Sequence, residues 1–388
     1  MTTRLGNWMV TTGLMCSGLC WAVACGPGPI DDTADGSARP EDSALLLSLQ
    51  NDVLLPSIEQ AAWDLGALKG AMDAWAADAA SASSKAEVQA AWRVAMRAVQ
   101  RLEVMQVGPA ADPSSDDAGL GLRTEIYSFP SVNRCTVEQN LTSEAFRDDG
   151  FTTANLVSAY GLDALEVLLF VDDDLGNDCA PQNAINRDGE WDALTPDERE
   201  VMRAEMGRVL IDEALNALRV LQDSWVSEDA VASLEAIHGS ALGERVFHAL
   251  MFLETTTKDR KLGAPLGLIE ASPTPDDDLF EHRYSTFGAN AIVANIDGFF
   301  EMWLAGGSAG FAGRLTAAGQ RDLHDQLMQA LEDARNLAVS LEDSSLADHR
   351  GEAEALYGAL KVVADLLKGD VADVLMLDVP AEAAGDND

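Results

Sequence analysis

Apolar residues in this chain recur at helical spacing over most of its length, and runs of alternating Val, Ile and Thr are absent. Periodic segments cover 43–79, 86–107, 151–172, 196–226, 228–262, 286–305, 316–344 and 347–376, and each predicts a helix. Two carry start signals, Thr195-Pro196 before one and Thr316 before another. The segment from Lys85 to Val107 shows the logic. At about 100° per residue, Val88, Trp92, Ala95, Val99 and Leu102 share one face. Arg93, Arg97 and Arg101 fall on the opposite face, where water is expected. Glu103 does not join them, because it projects within ~20° of Trp92. A carboxylate on the core side of a helix needs a partner or it takes up a proton.

Two irregular stretches interrupt the helices. Gly108 to Glu138 contains Gly-Pro, Asp-Pro and Phe-Pro steps, and Asp172 to Asp192 is rich in Asp and Asn. The run Asp172 to Asn177 lacks the glycine and terminal Glu of a calcium loop at the required spacing. No Gly-rich phosphate loop, Ser-His-Asp set or zincin spacing is present. The pattern predicts an all-α protein of two helical-bundle domains, 43–190 and 191–379, with an acidic tail at 380–388.

The first residues follow another rule. Arg4 precedes an apolar stretch from Trp8 to Ala24 that is broken by Thr11, Thr12, Gly13 and Ser17. It is too short and too mixed for a membrane span and suits a secretory leader. Ala22-Val23-Ala24-Cys25-Gly26 then reads as a lipobox, with 1–24 a signal peptide and Cys25 the lipid-bearing new N-terminus. Residues 25–42 are rich in Gly, Pro, Asp and Ser and are expected to form a flexible tether. Acyl chains on Cys25 would hold the protein to a membrane, facing the periplasm, with Gly26 after the cysteine favouring the outer membrane.

Composition narrows the partners. The formal net charge is −39, so nucleic acid and anionic headgroups are repelled and neither is expected as a partner. Of five cysteines, Cys16 and Cys20 lie in the leader and Cys25 is the acylation site. Cys135 and Cys179 remain, and in an exported protein they are most simply one disulfide pinning the two irregular stretches together.

The most unusual chemistry lies in Asn155 to Val171, which is apolar on every face yet contains Asp163 and Glu166. Three residues apart on a helix, the two can address one point. Something cationic must face them: a basic side chain, a shared proton or a metal ion. The run Gly161-Leu162-Asp163-Ala164-Leu165-Glu166 with Leu168-Leu169-Phe170 resembles the imelysin signature Gly-x-His-x-x-Glu in an apolar helix. Further elements resemble that family in order: Gly108-Pro109, Ser128-Phe129-Pro130 with Asn133, Lys261 to Gly267, and Ser285 to Asn295 with Gly298.

The resemblance implies a two-domain helical fold of the imelysin type with a site between the domains. Some members are classed as metallopeptidases and others are linked to iron uptake or its regulation. Here Asp163 stands where that motif has histidine, removing the ligand that favours zinc. Asp163 and Glu166, with Glu103 as third candidate, would instead make an oxygen-rich site for ferric iron, calcium or magnesium. His282, Arg260 and Arg283 border family-like elements, and either arginine could neutralise the acids without a metal. The expected role is a non-catalytic envelope component binding a metal ion or a partner protein. The alternatives are a metallopeptidase and an interaction protein with a degenerate metal site.

Overall fold

The structure is a computed structural model that describes residues 36–113, 119–227 and 229–384. The leader and the lipidation cysteine Cys25 lie outside the described residues. Among those described there is no strand, only an isolated bridge between Ile269 and Ser272. No helix among them is long and apolar enough to cross a membrane.

The first helix, α1 (Pro40–Ser48), starts inside the segment read as tether, with Pro40 at its first turn. Asp42 fixes it in place. Its buried carboxylate meets Arg39 at 3.1 Å and Arg314 of the second half at 2.7 Å, and a side chain at Gly243 would collide with it at 2.5 Å. A π-helical turn, Leu49–Leu54, leads into α2 (Leu55–Ala77), and α3 (Ala82–Glu103) returns against it.

The continuous helix expected over 151–172 is broken. Gly161 takes φ 96°, a conformation only glycine adopts readily, so only Leu162–Phe170 forms the apolar helix α4. Helix α5 (Pro196–Val226) begins at a capping box, Thr195 with Glu198. It packs on α2 and α4, which precede residue 190. The segment 228–262 divides at Gly239. Its last part, after α6 (Leu242–Leu250), is an eleven-residue π-helix, Leu253–Gly263.

Helix α7 (Gly288–Leu304) packs on α3 and joins the halves. A Cβ at Gly298 would lie 2.3 Å from the Arg101 carbonyl, so this crossing depends on glycine. Helices α8 (Arg321–Ser340) and α9 (Arg350–Leu366) complete the second half, with α9 against the π-helix. One buried apolar cluster runs from Leu45 to Ala383 through both halves. The Cys135–Cys179 disulfide forms and ties the two irregular stretches together.

Candidate functional site

Where α3, α4, the π-helix and the turn before α7 meet, polar side chains replace the apolar core. Asp163 and Glu166 both point inward from α4 and are buried, as their spacing suggests. They do not share a ligand. Asp163 Oδ2 accepts a hydrogen bond from the Ser128 hydroxyl at 2.7 Å, and Oδ1 accepts from the Ala164 N–H at 3.0 Å. Glu166 Oε2 lies 3.1 Å from His282 Nδ1, and Oε1 accepts from the Ser285 N–H at 2.9 Å. Glu103, at the end of α3, faces elsewhere. It receives Lys261 Nζ at 2.7 Å and Asn295 Nδ2 at 3.2 Å on one oxygen, and the Arg123 guanidinium on the other.

A fourth buried carboxylate, Glu281, escaped the sequence reading. Its Oε1 accepts from Tyr127 at 2.5 Å, Lys261 at 3.0 Å and Gln100 at 3.1 Å. Its Oε2 is buried and meets no donor among the described residues. His282 beside it sits at φ 55°, a left-handed conformation that concentrates at functional positions. Its ring stacks on Tyr127 and meets Trp92 edge-on at 5.2 Å, while Nε2 lies 3.2 Å from the Tyr127 hydroxyl.

Burial and neighbours set the charges. Burial would raise Glu103, but Lys261 and then Arg123 hold its carboxyl down at about 2. Burial would likewise raise Glu166, and His282 and Ser285 keep it below the ordinary range. Burial works against the His282 imidazolium, which Glu166 and Glu281 stabilise enough to raise its pKa. Asp163 has no such partner. Burial pushes it up to about 6 against the pull of Ser128 and the Ala164 N–H. Glu103 therefore stays ionised opposite Lys261 and Arg123, Glu166 is paired with His282, and Asp163 is the acid raised to about 6.

Of the residues named as site neighbours, only His282 enters the network. Arg260 is exposed, and Arg283 pairs with Asp278 and reaches the Tyr284 hydroxyl at 2.6 Å. The cation that matters is Lys261, one residue from Arg260, which the π-helix turns fully inward. A cavity of about 220 Å³ borders the network, lined by Asp163, Glu166, Glu281, His282 and Arg283 among others. No group of three or more His, Cys, Asp or Glu among the described residues is arranged to hold a metal ion. The donor set explains this: Glu103 and Glu166 are already occupied by protein cations and N–H groups, so they do not fit a resident metal. The set comes from segments far apart in the chain, and only Glu103, Asp163, Glu166 and His282 carried a local signal.

The sequence profile of a family described as Imelysin matches residues 54–367. No curated protein matches the chain. Among solved structures, an imelysin-like protein from Psychrobacter arcticum 273-4 superposes with a TM-score of 0.66 at 16% identity, covering 89% of this chain and 99% of its own. A protein described as an iron-regulated protein A precursor, from Parabacteroides distasonis ATCC 8503, superposes with a TM-score of 0.63 at 14% identity, covering 86% and 95% respectively. At these identities the likeness is one of fold.

Proposed function

The chain belongs to the imelysin family, and from that premise we propose that it is a non-catalytic binding component of the cell envelope. On this reading the buried acids around the family motif, Glu103, Glu166 and Glu281, form a charge-compensated clamp between the two halves. The observation that carries it is the Lys261 ammonium, within 3.0 Å of both Glu103 and Glu281. With His282 on Glu166, the positions that a metal would occupy are served by protein cations. A hydrolytic zinc centre needs three protein ligands, an open water position and a base. Glu103 and Glu166 are committed to protein cations and N–H groups, which counts against the metallopeptidase alternative.

The Cys25 lipobox supports an envelope location, with the protein held to a membrane by its lipid and facing the periplasm. The fold shared with a protein described as an iron-regulated protein A precursor supports a role in iron uptake or its regulation, exercised through a protein partner. Metal analysis and calorimetric titration with ferric iron, calcium and magnesium test this. The expected result is no stoichiometric uptake, together with lower stability in Glu166→Gln. Stoichiometric metal that Glu166→Gln abolishes would overturn the clamp reading and restore an oxygen-liganded metal site.

A further inference from the structure

A second cleft opens away from the motif. It measures about 600 Å³, within the usual range for small-molecule sites, and opens between α2, α3 and α7. One wall carries Arg93, Arg97 and Arg101, successive i,i+4 positions on α3 about 6 Å apart along the axis. Each is steered by a carboxylate of the second half: Asp343 at 3.5 Å, Glu342 at 2.9 Å and Glu301, which meets the Arg101 Nε at 2.7 Å. Arg97 uses one N–H on Glu342, leaving most of its five donors for something else. A guanidinium fixed from one side is well prepared to take a carboxylate on the other.

The facing wall has the opposite character. Asp52 and Asp64 line it, and among the described residues each accepts a hydrogen bond only from a side chain four positions earlier, Ser48 at 2.8 Å and Gln60 at 2.9 Å. Neither meets a cation among the described residues. Between the walls the lining is apolar, with Val53, Pro56 and Phe287. Trp63, three residues from Gln60 and so close to it on the helix face, is 78% exposed. Free acids on one side disfavour a polyanion, and an arginine row on the other disfavours a simple cation.

We propose that this cleft binds a small zwitterionic amphipath, its carboxylate on Arg97 and Arg101, its ammonium on Asp52, and its apolar body over Phe287 and Pro56, one helical turn from Asp52. The cleft does not depend on the clamp reading of the motif, but it adjoins the clamp. Arg93 donates to the Ser285 carbonyl, and the N–H of the same residue holds Glu166.

The test is titration of the purified protein with ω-aminooctanoate, followed by calorimetry and by tryptophan fluorescence. Saturable binding is expected, with Trp63→Phe removing the fluorescence change and leaving the heat. Octanoate and octylamine, each lacking one charged end, should bind at least roughly tenfold more weakly, as should the zwitterion to Arg97→Gln/Arg101→Gln. These arginines are part-exposed, and unchanged circular dichroism would show that the double variant folds. No saturable binding in the millimolar range, equal binding of either single-ended analogue, or undiminished binding to the double variant would overturn the proposal.

Discussion

Replacing Lys261 by Met keeps the volume of the side chain and removes its charge. The ammonium is fully buried and lies within hydrogen-bonding distance of Gln100 (2.6 Å), Glu103 (2.7 Å) and Glu281 (3.0 Å). Its loss leaves Glu103 with Arg123 and takes the ammonium from Glu281. Removing one partner of a buried ion pair costs about 3–5 kcal/mol, a large share of the 5–15 kcal/mol that holds a typical domain together. At about 2 °C per kcal/mol for a long chain, the expected fall in Tm is ~6–10 °C. Acid titration gives a second readout. The Glu103 carboxyl, held at about 2, stabilises the native protein above the ordinary carboxylate range, and that contribution is lost as pH falls toward 2. In Lys261→Met the loss should begin at higher pH. Adding Glu103→Gln should then recover part of the stability, because the unpaired charge is gone. Urea unfolding with and without that second change measures the coupling. A loss below about 1 kcal/mol for Lys261→Met, typical of an exposed ion pair, would refute the claim that this cation holds the site together.

Two further outcomes follow from the same geometry. Asp163 is raised to about 6, so its penalty is absent in strong acid, grows as pH rises past the ordinary aspartate range and is complete above 6. Asp163→Asn should therefore stabilise the protein by up to about 3 kcal/mol at pH 8, with the gain vanishing in acid, as urea midpoints against pH would show. Gly298→Ala places a methyl group against the Arg101 carbonyl and Val104, and should cost at least about 1–3 kcal/mol in thermal unfolding; a neutral result would mean that α3 and α7 are free to separate.

How much was legible in the sequence depends on how local the cause is. Helix α5 is written in full, because a capping box and Pro196 mark its start and its apolar period continues without a break. The broken helix before α4 was not legible, since apolar residues run straight across Gly161 and only its positive φ divides them. The burial of Glu103 could be read from its phase relative to Trp92, but its partner could not. Lys261 lies 158 residues away and turns inward on a π-helix, whose register no 3.6-residue pattern discloses. The arginine row on α3 meets water at Arg97 and Arg101, as its helical phase predicts, but its partners, Asp343, Glu342 and Glu301, belong to the second half and arrive only through tertiary packing.

Asp42 gives the fold a mechanical property. It lies six residues from the first described position and is locked to Arg314, so the chain entering the fold is fastened to the second half before it runs through α2 in the first. A pull on the N-terminus, such as an anchored lipid would exert, loads the α1 to Arg314 contact first and reaches the motif network only by way of α2 and α3. Were the proposed lipid anchor to pull on the chain, the strain would fall on this outer fastening before it reached the charged centre between the halves.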